Sequence, residues 1–294
     1  MSQREEATPV FRAPPLSCDS HFHVFGPAEK YSYGSNLRYP PPLAPLDDYL
    51  ALSRRLGFER FVFVQPSAYG RENTCMLDAM REVGTNACRG IVDLDENAPD
   101  AELARLNAAG VCGVRVNVNP IKPFEPGFSQ TMLKRIERLN ARCAEMDWML
   151  DFLTPGWLTH ELLPEMKKLR VPFTVAHMGM FLAEAGVNQP GFQAFLDFLR
   201  HGDKRCWVKL TGTYRMSTTP GFADADAIAK ALIETAPDRL IWGSDYPHLS
   251  FADKVGSVEL FNLVARWAPD ETTRHAILVE NPARLFGFVD EGGS

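Results

Sequence analysis

The stretch Cys18-Asp19-Ser20-His21-Phe22-His23 decides how the rest of the chain is interpreted. Its composition predicts a short strand over residues 17–23, with two histidines one residue apart. Side chains two apart on a strand point to the same face, so both imidazoles are expected to aim at one place. If the chain goes on to alternate strands and helices, polar groups should collect at the ends of the later strands and face the same place.

Length, composition and charge narrow the class of protein. The 294 residues are long for one ordinary domain but normal for one α/β barrel, and 45% of them are hydrophobic, enough for a large core. A net charge of −6 argues against nucleic acid and anionic membranes as partners. No apolar run approaches the ~20 residues of a membrane span, and no apolar signal segment begins the chain. We therefore expect a cytoplasmic protein. Its six cysteines lack a CxxC pair and are expected to be reduced and mostly packed.

Apolar runs alternate with helical patterns along the chain. We predict an N-terminal arm over residues 1–16 and one catalytic domain over 17–294. The predicted strands are 17–23, 61–64, 88–94, 113–118, 148–153, 173–177, 206–210 and 240–245. Helices are predicted near 46–56, 74–83, 100–109, 131–146, 159–169, 192–200, 223–235, 258–267 and 272–278. This order is typical of a (β/α)8 TIM-like barrel. The alternative, a doubly wound open sheet, lacks its GxGxxG motif after the first strand.

Polar residues fall at the carboxyl ends of the predicted strands, where such a barrel carries its active site. The first set is His21, His23, His177 and Asp245. A carboxylate can take a proton from water, and imidazoles can donate hydrogen bonds to a carbonyl oxygen that becomes an oxyanion. The same four residues could instead hold one Zn²⁺. The other three histidines fall in helical stretches and no bridging Lys or Glu is found, so no metal is favoured.

The second set is cationic. Arg115 lies in a predicted strand and Arg215 follows another. Arginine inside a barrel is costly unless it is paired or meets an anion, and its planar fork binds carboxylates through two hydrogen bonds. These cations predict a small anionic substrate, with an internal salt bridge as the alternative. Further donors for it are Tyr39 on a long loop predicted to be an ordered flap, Asn117, Lys122 and Lys209.

Several motifs together resemble the 2-pyrone-4,6-dicarboxylate lactonases of the amidohydrolase superfamily, from about residue 17 to 286. The matching strings are Asp19-Ser20-His21-Phe22-His23-Val24-Phe25-Gly26-Pro27, Gly57-Phe58, Val64-Gln65, Gly113-Val114-Arg115, His177-Met178-Gly179, Trp207-Val208-Lys209 and Trp242-Gly243-Ser244-Asp245-Tyr246-Pro247-His248. The resemblance implies a distorted barrel and a lactone hydrolase that needs no metal. It implies that Asp245 activates water and that His21, His23 and His177 surround the lactone carbonyl. It also implies substrate contacts at Tyr39, Ser67, Arg115, Arg215 and Ser250.

Two departures from the family pattern affect the expected substrate. A family tyrosine falls on or near Leu153, and a second family arginine falls within residues 119–122, which contain none. We therefore expect hydrolysis of a small carboxylated or sulfonated lactone, such as 2-pyrone-4,6-dicarboxylate or a muconolactone. The rival functions are a metal-dependent decarboxylase or hydrolase of the same superfamily, a sugar-acid lactone isomerase, and a ligand-binding barrel without turnover. The oligomeric state stays open.

Overall fold

The computed structural model describes residues 7–35, 37–118, 128–202 and 204–289. Eight parallel strands form one sheet in chain order, as the alternating pattern predicted for a (β/α)8 barrel. The strands are β1 (Cys18–Phe22), β2 (Arg60–Val64), β3 (Cys88–Val92), β4 (Val111–Asn117), β5 (Met149–Leu153), β6 (Phe173–Val175), β7 (Cys206–Leu210) and β8 (Leu240–Trp242). The helices are α1 (Leu46–Leu56), α2 (Thr74–Val83), α3 (Asp100–Ala108), α4 (Phe128–Met146), α5 (Gly156–Met166), α6 (Pro190–His201), α7 (Asp226–Thr235), α8 (Ser257–Trp267), α9 (Glu271–His275) and α10 (Asn281–Phe286).

Hydrogen bonds between β1 and the segment after β8 close the barrel. The Asp245 N–H donates to the His21 carbonyl at 2.8 Å, and the His23 N–H donates to the Tyr246 carbonyl at 2.8 Å. Gly243 permits this approach, since a Cβ there would lie only 2.6 Å from the backbone nitrogen of His21. Closure of the barrel therefore brings Asp245 against both histidines of the first strand.

The barrel interior has two layers of different character. The lower layer is apolar and is covered from below by Phe286 and Phe288; it contains Cys18, Val62, Val64, Ile91, Met149, Trp207 and Ile241. The upper layer comes from the same strands nearer their carboxyl ends, and its buried residues are His21, Arg115, Asp151 and Lys209. The pairing of β1 with β2 shifts register between Asp19 and Phe22. This shift allows Cys18 and His21, three residues apart, to face the interior together.

Strands β6 and β8 end earlier than the sequence predicted. Strand β6 stops at Val175 instead of residue 177, and β8 stops at Trp242 instead of residue 245. The reason is that His177 and Asp245 have φ angles of 53° and 55°, outside the range of strands. Non-glycine residues in this region are concentrated at functional sites, where the surrounding structure holds them. The two predicted catalytic residues therefore lie just beyond their strands.

The flap between β1 and α1 is held by its aromatic residues. An antiparallel bridge joins Phe25 to Ala44 at its base. Tyr33 stacks on Tyr69 with ring centroids 5.0 Å apart, and the Tyr39 hydroxyl lies 3.3 Å from the Ser67 hydroxyl. The flap thus contributes Tyr39 to the barrel mouth, as the sequence predicted for an ordered segment.

Three simpler expectations concern the N-terminal arm, the cysteines and the helices. Residues 7–16 contain neither helix nor strand, and Phe11 stacks on Phe261 of α8 at 4.3 Å. All six cysteines are free thiols, as predicted. Among the described residues, no helix has both the length and the apolar character needed to cross a bilayer.

Candidate active site

The carboxylate of Asp245 occupies the centre of the barrel mouth and is buried. Its Oδ2 accepts hydrogen bonds from the Tyr214 hydroxyl at 2.5 Å and from Arg215 Nε at 3.2 Å. Its Oδ1 is buried and has no hydrogen-bond partner within the described part of the chain. One carboxylate oxygen is therefore fixed by the protein, and the other is left to interact with a bound molecule.

Three imidazoles surround this carboxylate. His21 Nε2 lies 3.5 Å and His23 Nε2 3.4 Å from Oδ1 of Asp245, and His177 Nε2 lies 3.7 Å from its Oδ2. The ring centroid of His21 is 5.1 Å from that of His23 and 5.4 Å from that of His177. The structure thus brings together all four residues that the sequence singled out as catalytic.

The local environment sets the charge of these groups. Burial lowers the pKa of His177 to about 3, and burial also lowers the pKa values of His21 and His23 below their usual range. Burial alone would raise the pKa of Asp245, but the surrounding histidines, which become positive when protonated, and the Arg215 guanidinium outweigh it and hold that pKa well below its usual value. At neutral pH the site therefore combines one ionised carboxylate with neutral imidazoles.

A cavity of about 250 Å³ is lined by three of the four residues, His23, His177 and Asp245, and His21 lies buried behind them. Leu153, the position at which the chain departs from the family tyrosine, also lines it. Lys122, predicted as a further donor, lies outside the described residues. Six of the seven predicted substrate contacts that lie within the described residues line this cavity, namely Tyr39, Ser67, Arg115, Asn117, Arg215 and Ser250.

Lys209, the seventh of the predicted contacts that the structure describes, does not line the cavity. It is fully buried in the upper interior layer, where its Nζ lies 2.7 Å from Asp151 Oδ1 and 3.2 Å from His21 Nδ1. A direct contact with substrate does not fit this position. The sequence suggested the cation but could not show that a carboxylate and an imidazole enclose it.

Arg115 combines the two roles that the sequence analysis treated as alternatives. It lines the cavity, and its Nε lies 3.7 Å from Asp151 Oδ2 in an internal ion pair. Its Nη1 donates to the Gln65 carbonyl at 2.8 Å. The pair with Asp151 reduces the cost of burying the guanidinium while the group still faces the cavity.

Comparison with known proteins agrees with this geometry. A family model for amidohydrolases matches residues 18–288, from the first strand to the end of the barrel. The chain belongs to the amidohydrolase family.

The relatives of this amidohydrolase include lactone hydrolases. The chain is 38% identical over 293 residues to the 4-sulfomuconolactone hydrolase of Rhizobium radiobacter, covering 97% of this chain and 95% of the relative. It is 31% identical over 289 residues to the 2-pyrone-4,6-dicarboxylate hydrolase of Comamonas testosteroni, covering 95% and 92%. A solved structure, the putative 2-pyrone-4,6-dicarboxylic acid hydrolase of Pseudomonas putida, matches with a TM-score of 0.83 at 30% identity, covering 95% of this chain and 100% of that one. The predictions of superfamily and of enzymatic activity are confirmed.

The amidohydrolase site also meets a distance criterion for a metal ion. Ligand atoms of His21, His177 and Asp245 lie within 4.8 Å of one another. His21 Nε2 and Asp245 Oδ1 are both buried without a hydrogen-bond partner within the described ranges, so both atoms could serve as metal ligands. By distance, these residues could therefore hold one divalent ion, and they are three of the four ligands that the sequence suggested.

Two further residues shape the amidohydrolase site: Asp151, which the sequence did not single out, and Tyr214, which the sequence places beside Arg215 beyond the seventh strand. Asp151 lies in β5 between the two buried cations, Arg115 and Lys209. Its signal was present, because two cations inside a barrel require a counterion on a neighbouring strand. Tyr214, which donates to Asp245, carried no comparable signal, since its role depends on the short turn after β7.

Proposed function

We propose that this amidohydrolase hydrolyses the ring ester of a small anionic lactone. The observation that carries the proposal is the free Oδ1 of Asp245, which faces neutral imidazoles in a cavity lined by arginines. A carboxylate oxygen that accepts from no donor among the described residues is suited to take a proton from water. The lactone hydrolases among the relatives make a ring ester the preferred electrophile.

The proposed reaction uses Asp245 as general base. A water molecule gives one proton to Oδ1 of Asp245, and its oxygen forms a bond to the lactone carbonyl carbon. The predicted set of His21, His23 and His177 surrounds the reacting atoms. An imidazole that presents a ring N–H stabilises the oxyanion, and one that presents a lone pair accepts from the water. The tetrahedral intermediate then collapses, the ring C–O bond breaks, and the departing oxygen takes the proton back from Asp245. The products are a carboxylic acid, which releases its proton to solvent and becomes a carboxylate, and a hydroxyl or enol on the same molecule.

The charges around the cavity favour an anionic substrate. Arg38, Arg115 and Arg215 line the cavity against the single carboxylate of Asp245. Below it, Lys209 and Asp151 form a pair of opposite charges. This surplus of positive charge favours a substrate with carboxylate or sulfonate groups, which guanidinium forks bind strongly. Tyr39, Ser67, Asn117 and Ser250 are proposed to complete its hydrogen bonds.

A divalent metal stays part of the alternative function. If Zn²⁺ bound, His21, His177 and Asp245 would hold it, and it would supply Lewis-acid polarisation of the carbonyl. Metal analysis of the purified enzyme, with and without chelator treatment, distinguishes the two forms of catalysis. Activity that survives complete metal removal supports hydrolysis by protein groups alone.

The test of the proposed function is a screen of anionic lactones, including 2-pyrone-4,6-dicarboxylate and 4-sulfomuconolactone, by release of acid at constant pH. Turnover in ¹⁸O-labelled water identifies the reaction. Hydrolysis places one ¹⁸O in the new carboxylate, whereas isomerisation yields a lactone product without label. Loss of CO₂ would instead indicate a decarboxylase. Absence of turnover with every lactone, with or without added Zn²⁺, would contradict the proposal.

A further inference from the structure

The contact between Lys209 and His21 has a chemical consequence for the site. Lys209 Nζ lies 3.2 Å from His21 Nδ1 and 2.7 Å from Asp151 Oδ1, and all three side chains are buried. An ammonium group has three donors and no acceptor. Burial lowers the pKa of Lys209, but the ionised carboxylate of Asp151 raises it. The 2.7 Å distance is that of a charge-assisted hydrogen bond, which favours the ammonium form. His21 Nδ1 must then act as the acceptor.

Asp151 is in turn held in place by its own partners. The Thr174 hydroxyl donates to the same Oδ1 at 2.5 Å, and Arg115 lies beside Oδ2 at 3.7 Å. These contacts come from β4 and β6, the neighbours of β5 in the sheet. The position of Lys209 under the imidazole is therefore fixed by three strands, and its N–H groups have defined directions.

The contacts of His23 favour the other tautomer. Its Nδ1 lies 2.7 Å from the Val64 carbonyl oxygen, which can only accept. His23 therefore carries its proton on Nδ1 and presents a lone pair at Nε2, whereas His21 carries its proton on Nε2. Both Nε2 atoms face Oδ1 of Asp245, at 3.4 and 3.5 Å. Toward Asp245, His21 therefore presents a donor, whereas His23, which also lines the cavity, presents an acceptor.

We propose that Lys209 is a positioning residue that fixes His21 in the tautomer with its proton on Nε2, so that His21 is a hydrogen-bond donor to the reacting carbonyl and not a metal ligand. The donor role of His21 in catalysis rests on the proposed lactone hydrolysis. His23 then accepts a hydrogen bond from the attacking water, which Asp245 Oδ1 also accepts. A metal-bound histidine normally donates its second ring N–H to an acceptor. Here the group facing that nitrogen is a donor, so ligation by His21 would require the loss of the Lys209 contact.

The first test measures the tautomer directly and needs no substrate. Asp245→Asn removes the carboxylate that would itself favour a proton on His21 Nε2, and leaves Lys209 in place. The full-length protein is labelled with ¹⁵N on its histidines, and a further His21→Gln change identifies the His21 signals. Two-bond ¹H–¹⁵N correlation spectra should then show His21 protonated on Nε2. A proton on Nδ1 would overturn the proposal. This outcome is independent of whether any lactone is turned over.

The second test measures zinc binding by the wild-type protein and by variants that all keep Asp245. The double variant Lys209→Met/Asp151→Asn removes the donor without leaving a buried carboxylate unpaired, and exposed Lys230→Met is the matched control. Competition with a coloured zinc chelator should show at least about tenfold tighter zinc binding in the double variant, the size typical of such supporting contacts. Unchanged affinity, or stoichiometric zinc held by His21 in the wild type, would overturn the proposal. If the double variant does not fold, the tautomer measurement still decides.

Discussion

The two interior layers of this barrel are built on the same strands, but burial of their side chains changes the free energy of folding in opposite directions. The lower layer consists of side chains such as Val62, Ile91 and Ile241, which gain free energy by leaving water. The upper layer buries Asp151 and Lys209, and the mouth directly above it buries Asp245. Removing these charged groups from water costs more free energy than removing hydrophobic side chains of equal size. The difference teaches that the upper layer contributes little to folding and is explained by what it does to a bound molecule. Substitutions in the two layers should therefore separate activity from stability.

The largest effect on activity is expected for Asp245→Asn. The amide keeps the size of the side chain but cannot take a proton, so kcat should fall by roughly 10²–10⁴, the usual contribution of a general base. Steady-state kinetics with the lactone found in the screen provides the measurement. The fold should persist, because removing this buried charge leaves the apolar layer intact. Circular dichroism and thermal melting check it.

The matched control for that variant is Asp253→Asn. Asp253 lies on the same segment after β8 and is exposed. Its substitution should leave kcat within a factor of about two, since exposed changes away from a site have small effects. Equal losses in both variants would mean that the segment, and not the carboxylate at its start, determines the rate.

Arg115→Met comes next. We expect KM to rise roughly ten- to hundredfold with a smaller change in kcat, because hydrogen bonds to charged groups contribute about 1.5–3 kcal/mol. The exposed Arg138→Met on α4 is the control. Unchanged KM for Arg115→Met would contradict binding of the anionic substrate by Arg115 and leave this guanidinium a structural role, in its ion pair with Asp151 and its hydrogen bond to the Gln65 carbonyl.

Ile91→Ala tests the lower layer. Ile91 is fully buried in β3, a strand that contributes no residue to the predicted site. Its truncation should lower the free energy of unfolding by about 2–5 kcal/mol, measured by chemical denaturation. At 25 °C, kcat and KM should stay close to those of the wild type. A large loss of kcat in a folded Ile91→Ala protein would show that the two layers are not independent.

Much of this arrangement follows from the sequence. The apolar strands and the helices between them predict the barrel, and the position of His21, His23, His177 and Asp245 at strand ends predicts their meeting point. The contacts of Lys209 and Asp151 could not be predicted from one sequence. They depend on which inward-facing residues of β5 and β7 come into contact across the interior, and this is set by barrel register.

The smallest effect on activity is expected for a change of pH, to which kcat/KM and the free energy of unfolding should respond differently. His177 has its pKa lowered by burial from 6.5 to about 3, and Asp245 stays ionised because its pKa is below the usual value. The site therefore keeps its charges between about pH 5 and 8, and kcat/KM should be flat there, without the step near 6.5 that an ordinary histidine gives. The free energy of unfolding should nevertheless fall as pH drops below 6.5, the unfolded value for His177, toward its folded value of about 3. In that window the unfolded chain binds protons that the buried imidazoles do not, and this favours unfolding. Denaturation and kinetics on the same samples check both parts, and a kinetic inflection between about pH 6 and 7 would show that a histidine changes charge during activity.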